Sequence, residues 1–323
     1  MAELEPRPSA WGGLNRFLDT PAKRGLALAA ILVGMAVAPM LFGPYATVIL
    51  TNALLYTILA LGLNIVVGYA GLLDLGYAAF FAVGAYTVGI LTTTFGWNFW
   101  ATLPIAVLVA MLAGVIIGGP TLRLRSDYLA IVTLGFGEIV RIAARNLKIT
   151  GAASGISGIE QPWLFGWHIA TPTDFYYVFL VLAIIGILVS VRLANSRLGR
   201  AWLYVRHDED AAEAMGIDRV RVKLAAYVIG AIYGSIGGAF FAVNLGAISP
   251  ESFSFKQSTL FLMAVILGGM GKIPGVILGA FVVVLAPEIL RDFGSFRYLI
   301  FAVGLLLIML YRPSGIWPVG SKR

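Results

Sequence analysis

The chain has 323 residues, of which 59% are hydrophobic and 12% are charged, and its formal net charge is +7. Soluble domains contain about 25% charged residues, whereas the 98 positions from Gly25 to Leu122 contain one, Asp74. This composition excludes an ordinary soluble domain and predicts an all-α polytopic membrane protein, because a spanning helix needs about 20 apolar residues. The basic residues flank apolar stretches and do not line one face, so we expect membrane lipid, and no nucleic acid, around the chain.

The apolar stretches divide into about ten predicted transmembrane helices. Their ranges are 25–43, 45–67, 75–95, 99–120, 128–144, 175–191, 224–243, 258–270, 275–290 and 298–311. The predicted transmembrane domain is therefore 25–311, between an N-terminal segment (1–24) and a C-terminal tail (312–323). The sequence GGMGKIPG interrupts residues 258–290, and such breaks are tolerated at membrane depth where protein or a water-filled cavity covers them.

Lysine and arginine are distributed unequally between alternate connecting segments. If the N-terminus lies inside, the inner segments hold 17 of the 23 basic residues. By the positive-inside rule, both termini and the 192–223 loop are expected in the cytosol. Four tryptophans fall at predicted outer boundaries, where indole rings favour the membrane interface: Trp97, Trp100, Trp163 and Trp167.

Glycines recur every fourth residue in two stretches of the chain. The two series are Gly230, Gly234, Gly238 and Gly271, Gly275, Gly279. Small residues at this spacing lie on one helix face and let two helix backbones approach closely in lipid. They predict a tightly packed bundle.

The loop at 192–223 is a charged island between two apolar runs. It holds seven basic and five acidic residues of the 39 charged residues in the chain. Asp208, Glu209 and Asp210 predict the N-terminus of a two-turn helix, because carboxylates cap free amides and complement the helix dipole. Gly216 supplies the left-handed residue that ends such a helix.

The face of this short helix is small. Met215 lies four residues after Ala211 and three after Ala212, so the three residues share a smooth face that a partner protein can approach. A surface helix that binds nothing explains capping and composition equally well.

Sequence signals for catalysis are weak. Gly271 and Lys272 are followed by Ile273 instead of the Ser or Thr of a phosphate-binding loop. The chain has no cysteine and two histidines, His168 and His207, without a zinc-binding spacing. We therefore expect no catalytic residues, no metal and no bound cofactor, and we do not expect an enzyme.

Three stretches resemble a known family. GYAGLLDLGYAAFFAVGAY at 68–86 and AIVTLGFGEIVR at 130–141, followed by Thr150-Gly151, are similar to signatures of branched-chain amino acid permeases of the LivM type. DAAEAMG at 210–216 resembles the Glu-Ala-Ala-x-x-x-Gly loop of ABC-importer permeases, with Asp210 in the Glu place. The resemblance extends from about residue 45 to residue 290.

This resemblance implies a heteromeric importer in the bacterial inner membrane. The implied partners are a second related permease, two ATP-binding cassette subunits that hold ATP and Mg, and a periplasmic binding protein. Transport would occur by alternating access, driven by ATP bound to those partners. The implied coupling helix, which contacts the ATPase, consists of Asp210, Ala211, Ala212, Glu213, Met215 and Gly216.

Candidate pathway residues lie on the predicted span 128–144. They are Glu138 and Arg141, which share one helix face, and Thr133. Intramembrane charges are costly and are functional candidates, although a structural ion pair or an interfacial clamp is an equal alternative. The substrate stays open between leucine-type amino acids, other amino acids, and urea or short amides. An ATPase-independent secondary transporter is the alternative mechanism, but it leaves the charged island unexplained.

Overall fold

The computed structural model describes residues 21–121, 126–164, 166–294, 296–312 and 315–316. The α-helices in these ranges are α1 (Pro21–Leu63), α2 (Ala78–Thr93), α3 (Phe99–Thr121), α4 (Ser126–Asn146), α5 (Pro172–Ala194), α6 (Arg197–His207), α7 (Glu209–Ala214), α8 (Arg219–Leu245), α9 (Phe255–Gly268), α10 (Ile273–Ile289) and α11 (Phe296–Tyr311). A π-helical turn, Asn64–Tyr69, continues α1. The strands are β1 (Ile156–Ser157), β2 (Trp163–Leu164), β3 (Trp167–His168) and β4 (Ala247–Ile248).

Each of the ten predicted spans overlaps a helix. The first two form one long helix, α1, with a kink at Gly43, whose φ of 76° is left-handed. Among the described residues, four helical segments are long and apolar enough to cross a bilayer: Val33–Tyr69, Phe99–Thr121, Pro172–Ala194 and Arg219–Leu245. The all-α membrane fold therefore fits, whereas ten complete crossings stay a prediction. The predicted cytosolic termini fall mainly on residues 1–20 and 317–323, outside the described residues.

Helix α8 packs against α1, α2 and α3 at the centre of the bundle. A Cβ at Gly230 would lie 2.6 Å from Val66 Cγ2, and one at Gly238 would lie 2.0 Å from the carbonyl oxygen of Phe81. These distances leave no room for a side chain. The close packing predicted from this glycine series is confirmed.

The backbone is not helical between the π turn and α2. Asp74 Oδ1 accepts a hydrogen bond of 2.8 Å from the Gly76 amide. Tyr77 donates its hydroxyl to Gly230 O of α8 at 2.9 Å, and the Ala78 amide donates to Ser258 Oγ of α9 at 2.8 Å. These contacts pair polar groups that could not face lipid. Helix α2 has 16 residues, about 24 Å of helix, less than the roughly 30 Å of the hydrocarbon layer.

The described residues between α4 and α5 form 3-10 turns and short strands. Strand β1 pairs antiparallel with β4, which ties this segment to the loop after α8. The Trp100 indole donates to the carbonyl oxygen of Trp163 at 2.6 Å, and the Trp163 ring stacks on His168 at 4.5 Å between centroids. Thr171 and Asp174 form a capping box that begins α5. Two of the tryptophans predicted at the interface, Trp100 and Trp163, are therefore in direct contact at the start of α3.

Candidate functional site

The charged island contains two helices, and sequence reasoning missed the first one. Helix α6 begins after Ser196, whose hydroxyl accepts a hydrogen bond of 3.1 Å from the Gly199 amide. Trp202 is fully buried, and its indole donates to the carbonyl oxygen of Val222 at 2.7 Å. The signal was present in the sequence: a Ser N-cap precedes apolar residues at 198, 202 and 205, which is helical spacing.

The second helix, α7, is the one that the acidic run predicts. Asp208 is the N-cap, and its Oδ1 accepts hydrogen bonds of 3.0 Å from the amides of Asp210 and Ala211. The six-residue helix ends at Ala214, and Gly216 has a φ of 84°. The predicted cap and the predicted left-handed stop are both confirmed.

The expected exposed face of α7 is partly wrong. Ala212 is 2% exposed, because α7 lies on α6 and α8 and turns this residue towards them. An alanine at this position lets the short helix α7 approach α6 and α8 closely. Ala211 is exposed, Met215 is 75% exposed, and the Asp210 side chain is 95% exposed. The surface open to a partner therefore includes these three residues and not Ala212.

Ion pairs hold α7 against the first turns of α8. Lys223 Nζ lies 2.6 Å from Glu209 Oε1, and the Lys223 side chain is 4% exposed. Arg219 Nε lies 3.2 Å from Glu213 Oε2, and its Nη1 lies 3.6 Å from Asp210 Oδ1. Because a nearly buried ammonium is costly without its partner, these pairs fix the position of α7.

The predicted pair on α4 forms, and it has a third member. Arg141 Nε and Nη2 each lie 2.8 Å from Glu138 Oε2. Arg141 Nη1 lies 3.2 Å from Glu251 Oε1, on the 3-10 turn Pro250–Phe253. Arg145 Nη1 lies 3.8 Å from the same Glu251 oxygen. With side-chain exposures of 18% for Arg141 and 30% for Glu138, the pair is partly open and joins α4 to the loop after α8.

Thr133 belongs to a different environment. It is fully buried, and its hydroxyl oxygen accepts a hydrogen bond of 3.1 Å from the Leu75 amide. It therefore supports the non-helical segment 70–77, whereas Glu138 and Arg141 interact with Glu251. The structure does not bring the three candidate pathway residues into one cluster.

Asp74 and Lys272, which have shielded polar side-chain atoms, were not candidates in the sequence. Asp74 is fully buried, and in the part of the chain that the structure describes its Oδ2 has no hydrogen-bond partner. Its isolation in a long apolar region was the available signal. Lys272, in the loop before α10, likewise has a shielded Nζ without a hydrogen-bond partner among the described residues. Burial lowers the pKa of this ammonium.

Long apolar helices around a glycine-packed centre define a multi-pass helical membrane protein. Residues 45–311 match the family described as branched-chain amino acid transport system, permease component. The chain belongs to this family.

Individual relatives agree with the family match. The chain is 42% identical to the high-affinity branched-chain amino acid transport permease LivM of Salmonella typhimurium, over 92% of this chain and 76% of that protein. Identity to LivM of Escherichia coli K12 is also 42%, with the same coverage. The chain is 24% identical to LivH of Escherichia coli K12, over 81% of this chain and 90% of LivH. No solved structure matches.

Proposed function

We propose that the chain is the permease subunit of an ATP-driven importer for branched-chain amino acids in a bacterial inner membrane. The observation that carries the proposal is the 42% identity to two LivM permeases over 92% of the chain. The DAAEAMG segment supports the coupling to ATP, because it forms a capped helix with exposed Asp210 and Met215. The chain itself holds no nucleotide, and ATP and Mg bind to two partner ATPase subunits.

In this proposal, α7 is the coupling helix. Its exposed residues enter a groove of the ATPase, and closure of the ATPase pair displaces α7. The Lys223–Glu209 and Arg219–Glu213 ion pairs carry that displacement into α8. Since α8 packs against α1, α2 and α3, its movement would reorient the centre of the bundle between inward-open and outward-open states.

Two further partners complete the assembly. A LivH-like second permease fits, because LivH itself is recognisably similar to this chain. A periplasmic binding protein would deliver the substrate. On the side of the membrane expected to face the binding protein, Arg141 links Glu138 to Glu251. This link favours an interfacial clamp, and not a central pathway role, for the Glu138–Arg141 pair. Thr133 would act indirectly, by holding residues 70–77 in place.

Reconstituted transport tests the function directly. The complete complex would be assembled in proteoliposomes with ATP inside and with each candidate binding protein supplied in turn. We expect ATP-dependent uptake of labelled leucine, isoleucine or valine. If only urea or a short amide were taken up, the proposed substrate class would be wrong. Uptake without the ATPase subunits would favour a secondary transporter.

The coupling assignment needs a variant that does not disturb the fold. Ala212 is unsuitable because it is buried, so Met215→Glu is the better change, with Arg221→Gln as a control at another exposed island position. Met215→Glu should lower uptake and stimulated ATP hydrolysis together in a fully assembled complex. Parental uptake by this variant would contradict the role of α7.

Sidedness can be tested because the chain has no cysteine. Single cysteines at two exposed positions, Glu160→Cys and Arg221→Cys, would be treated with an impermeant thiol reagent in right-side-out vesicles. Only Glu160→Cys should react before the membrane is permeabilised. The reverse pattern would invert the proposed topology.

A further inference from the structure

Arg206, near the end of α6, reaches from the charged island to the π turn. Its Nη1 donates a hydrogen bond to the carbonyl oxygen of Gly68. Its aliphatic stem covers Gly71, where a Cβ would lie 2.8 Å from Arg206 Cγ. Gly71 also has a φ of 73°, so both backbone conformation and space require glycine there.

The π turn also contacts the loop between α9 and α10. The Gly271 amide donates to Asn64 Oδ1 at 2.8 Å, and Asn64 is 1% exposed. A Cβ at Gly68 would lie 2.5 Å from the Gly271 nitrogen, and one at Gly271 would lie 3.3 Å from Arg206 Nη1. The π turn, the Gly269–Lys272 loop and the Arg206 guanidinium therefore meet at one junction.

Helix α6 is well placed to move this junction. The Trp202 ring is stacked parallel to Tyr69 of the π turn, with 6.4 Å between centroids. The Trp202 indole also donates a hydrogen bond to the carbonyl oxygen of Val222 in α8. One residue, Asp208, separates α6 from α7. A displacement of α7 would therefore act on the π turn through α6 as well as on α8.

We propose that Arg206 is a positioning residue that locks the π turn to α6 where that turn meets the Gly269–Lys272 loop, and that release of this lock when α6 and α7 move is a step of transport. The transport role rests on the proposed function, but the lock itself does not. π-Helical turns inside longer helices are frequent at functional sites. Here the turn leads directly into the non-helical segment 70–77, so its release would free the N-terminal end of that segment to rearrange.

Hydrogen exchange measures the lock in the purified full chain. The variant Arg206→Met keeps an unbranched stem over Gly71 and removes the donor to Gly68 O. We expect amide exchange in residues 64–72 and 269–272 to accelerate about tenfold, the scale of losing one charge-assisted hydrogen bond. The control is Arg200→Ala, also on α6, where the arginine donates to the nearby Asn195 carbonyl at 3.2 Å. Unchanged exchange in Arg206→Met would overturn the lock.

Transport by the complete complex then tests the role of the lock. In Arg206→Met, ATP hydrolysis should persist while uptake per ATP falls about tenfold, and Arg200→Ala should match the parent. Accelerated exchange with a parental ratio of uptake to hydrolysis would refute the transport role. If Arg206→Met does not assemble, Arg206→Lys provides a shorter donor and should show the same changes at smaller size.

A parental complex that imports no amino acid would contradict the proposed function instead, and the exchange result would still decide whether the lock exists.

Discussion

Helices α8 and α4 are both long, but they meet the rest of the chain in opposite ways. Helix α8 is surrounded by α1, α2 and α3, and its glycines leave no space for side chains. Helix α4 packs one side, on which Leu129 and Thr133 are buried, against α2 and residues 70–77, and charged residues near its end contact the loop after α8. Ile131 and Ile139 of α4 are 69% and 65% exposed, and a Cβ at Gly135 would meet open space.

This difference means that changes in α8 should disturb the whole bundle, whereas changes in α4 should have smaller, local effects. In lipid, close van der Waals packing drives helix association, so α8 is essential to the packed centre. Helix α4 has a smaller packed face, with Leu129 and Ala144 in the hydrophobic core, and its hydrogen bonds and ion pairs can be removed one at a time. The predictions below test this contrast, beginning with the largest expected effect.

Gly238→Val should prevent α2 and α8 from packing. The new Cβ would lie 2.0 Å from the carbonyl oxygen of Phe81 and 2.9 Å from the Ala85 amide nitrogen, and backbone atoms cannot move aside without shifting a helix. We expect a loss of at least about 3 kcal/mol of stability, measured as thermal denaturation of the purified chain in detergent. The matched change on α4, Gly135→Ala, should leave the melting temperature unchanged or raise it, because alanine favours helix. Equal melting of the two variants would contradict the contrast between α8 and α4.

Thr133→Val should destabilise the contact between α4 and residues 70–77. Valine has nearly the same shape, but it removes the acceptor of the Leu75 amide in a fully buried position. An unpaired buried donor costs about 1–3 kcal/mol, which should lower the melting temperature by several degrees. Thr133→Ser keeps the hydroxyl and should melt closer to the parent. If serine and valine are equally harmful, packing of the methyl group matters more than the hydrogen bond.

The sequence predicted helices well where hydrophobicity alone determines them. The predicted span 99–120 became Phe99–Thr121, and 175–191 became Pro172–Ala194, because an apolar run must be helical to cross lipid. Helix α6 was missed since its charged residues obscured the apolar spacing. The π turn and the non-helical segment 70–77 are sustained by distant partners such as Gly271 and Ser258, which local patterns do not reveal.

In the candidate sites, too, the sequence predicted the features that depend on neighbouring residues and not those that depend on the fold. The cap of α7 was predicted correctly because capping depends on neighbouring residues. The inward orientation of Ala212 depends on how α7 lies on α6 and α8, so the sequence could not provide it. The Glu138–Arg141 pair follows from its spacing, whereas its link to Glu251, 110 positions after Arg141, required the fold.

Arg141→Met should be more harmful than Glu138→Gln. Without Arg141, two carboxylates lose the cation between them, whereas without Glu138 the arginine still faces Glu251 at 3.2 Å. Because these side chains are partly exposed, a double-mutant cycle should give a coupling energy of about 0.5–1 kcal/mol. If the double variant recovers uptake together with assembly, the pair is structural. Assembly without uptake would assign the charges to the pathway, and a larger effect of Glu138→Gln would contradict the geometry.

Arg145→Gln should have the smallest effect. Arg145 Nη1 lies 3.8 Å from Glu251 Oε1, and the two side chains are 55% and 66% exposed, so water and salt screen the pair. We expect a change within about 0.5 kcal/mol, and the melting temperature should stay near that of the parent between low and high salt. Glu209→Gln at the start of α7 is the comparison, since its ion pair with Lys223 is 2.6 Å long and the lysine is 4% exposed. That variant should melt clearly lower, because it leaves the nearly buried Lys223 ammonium without its partner. Equal melting of Arg145→Gln and Glu209→Gln would mean that burial does not distinguish the charged contacts of α4 and α8.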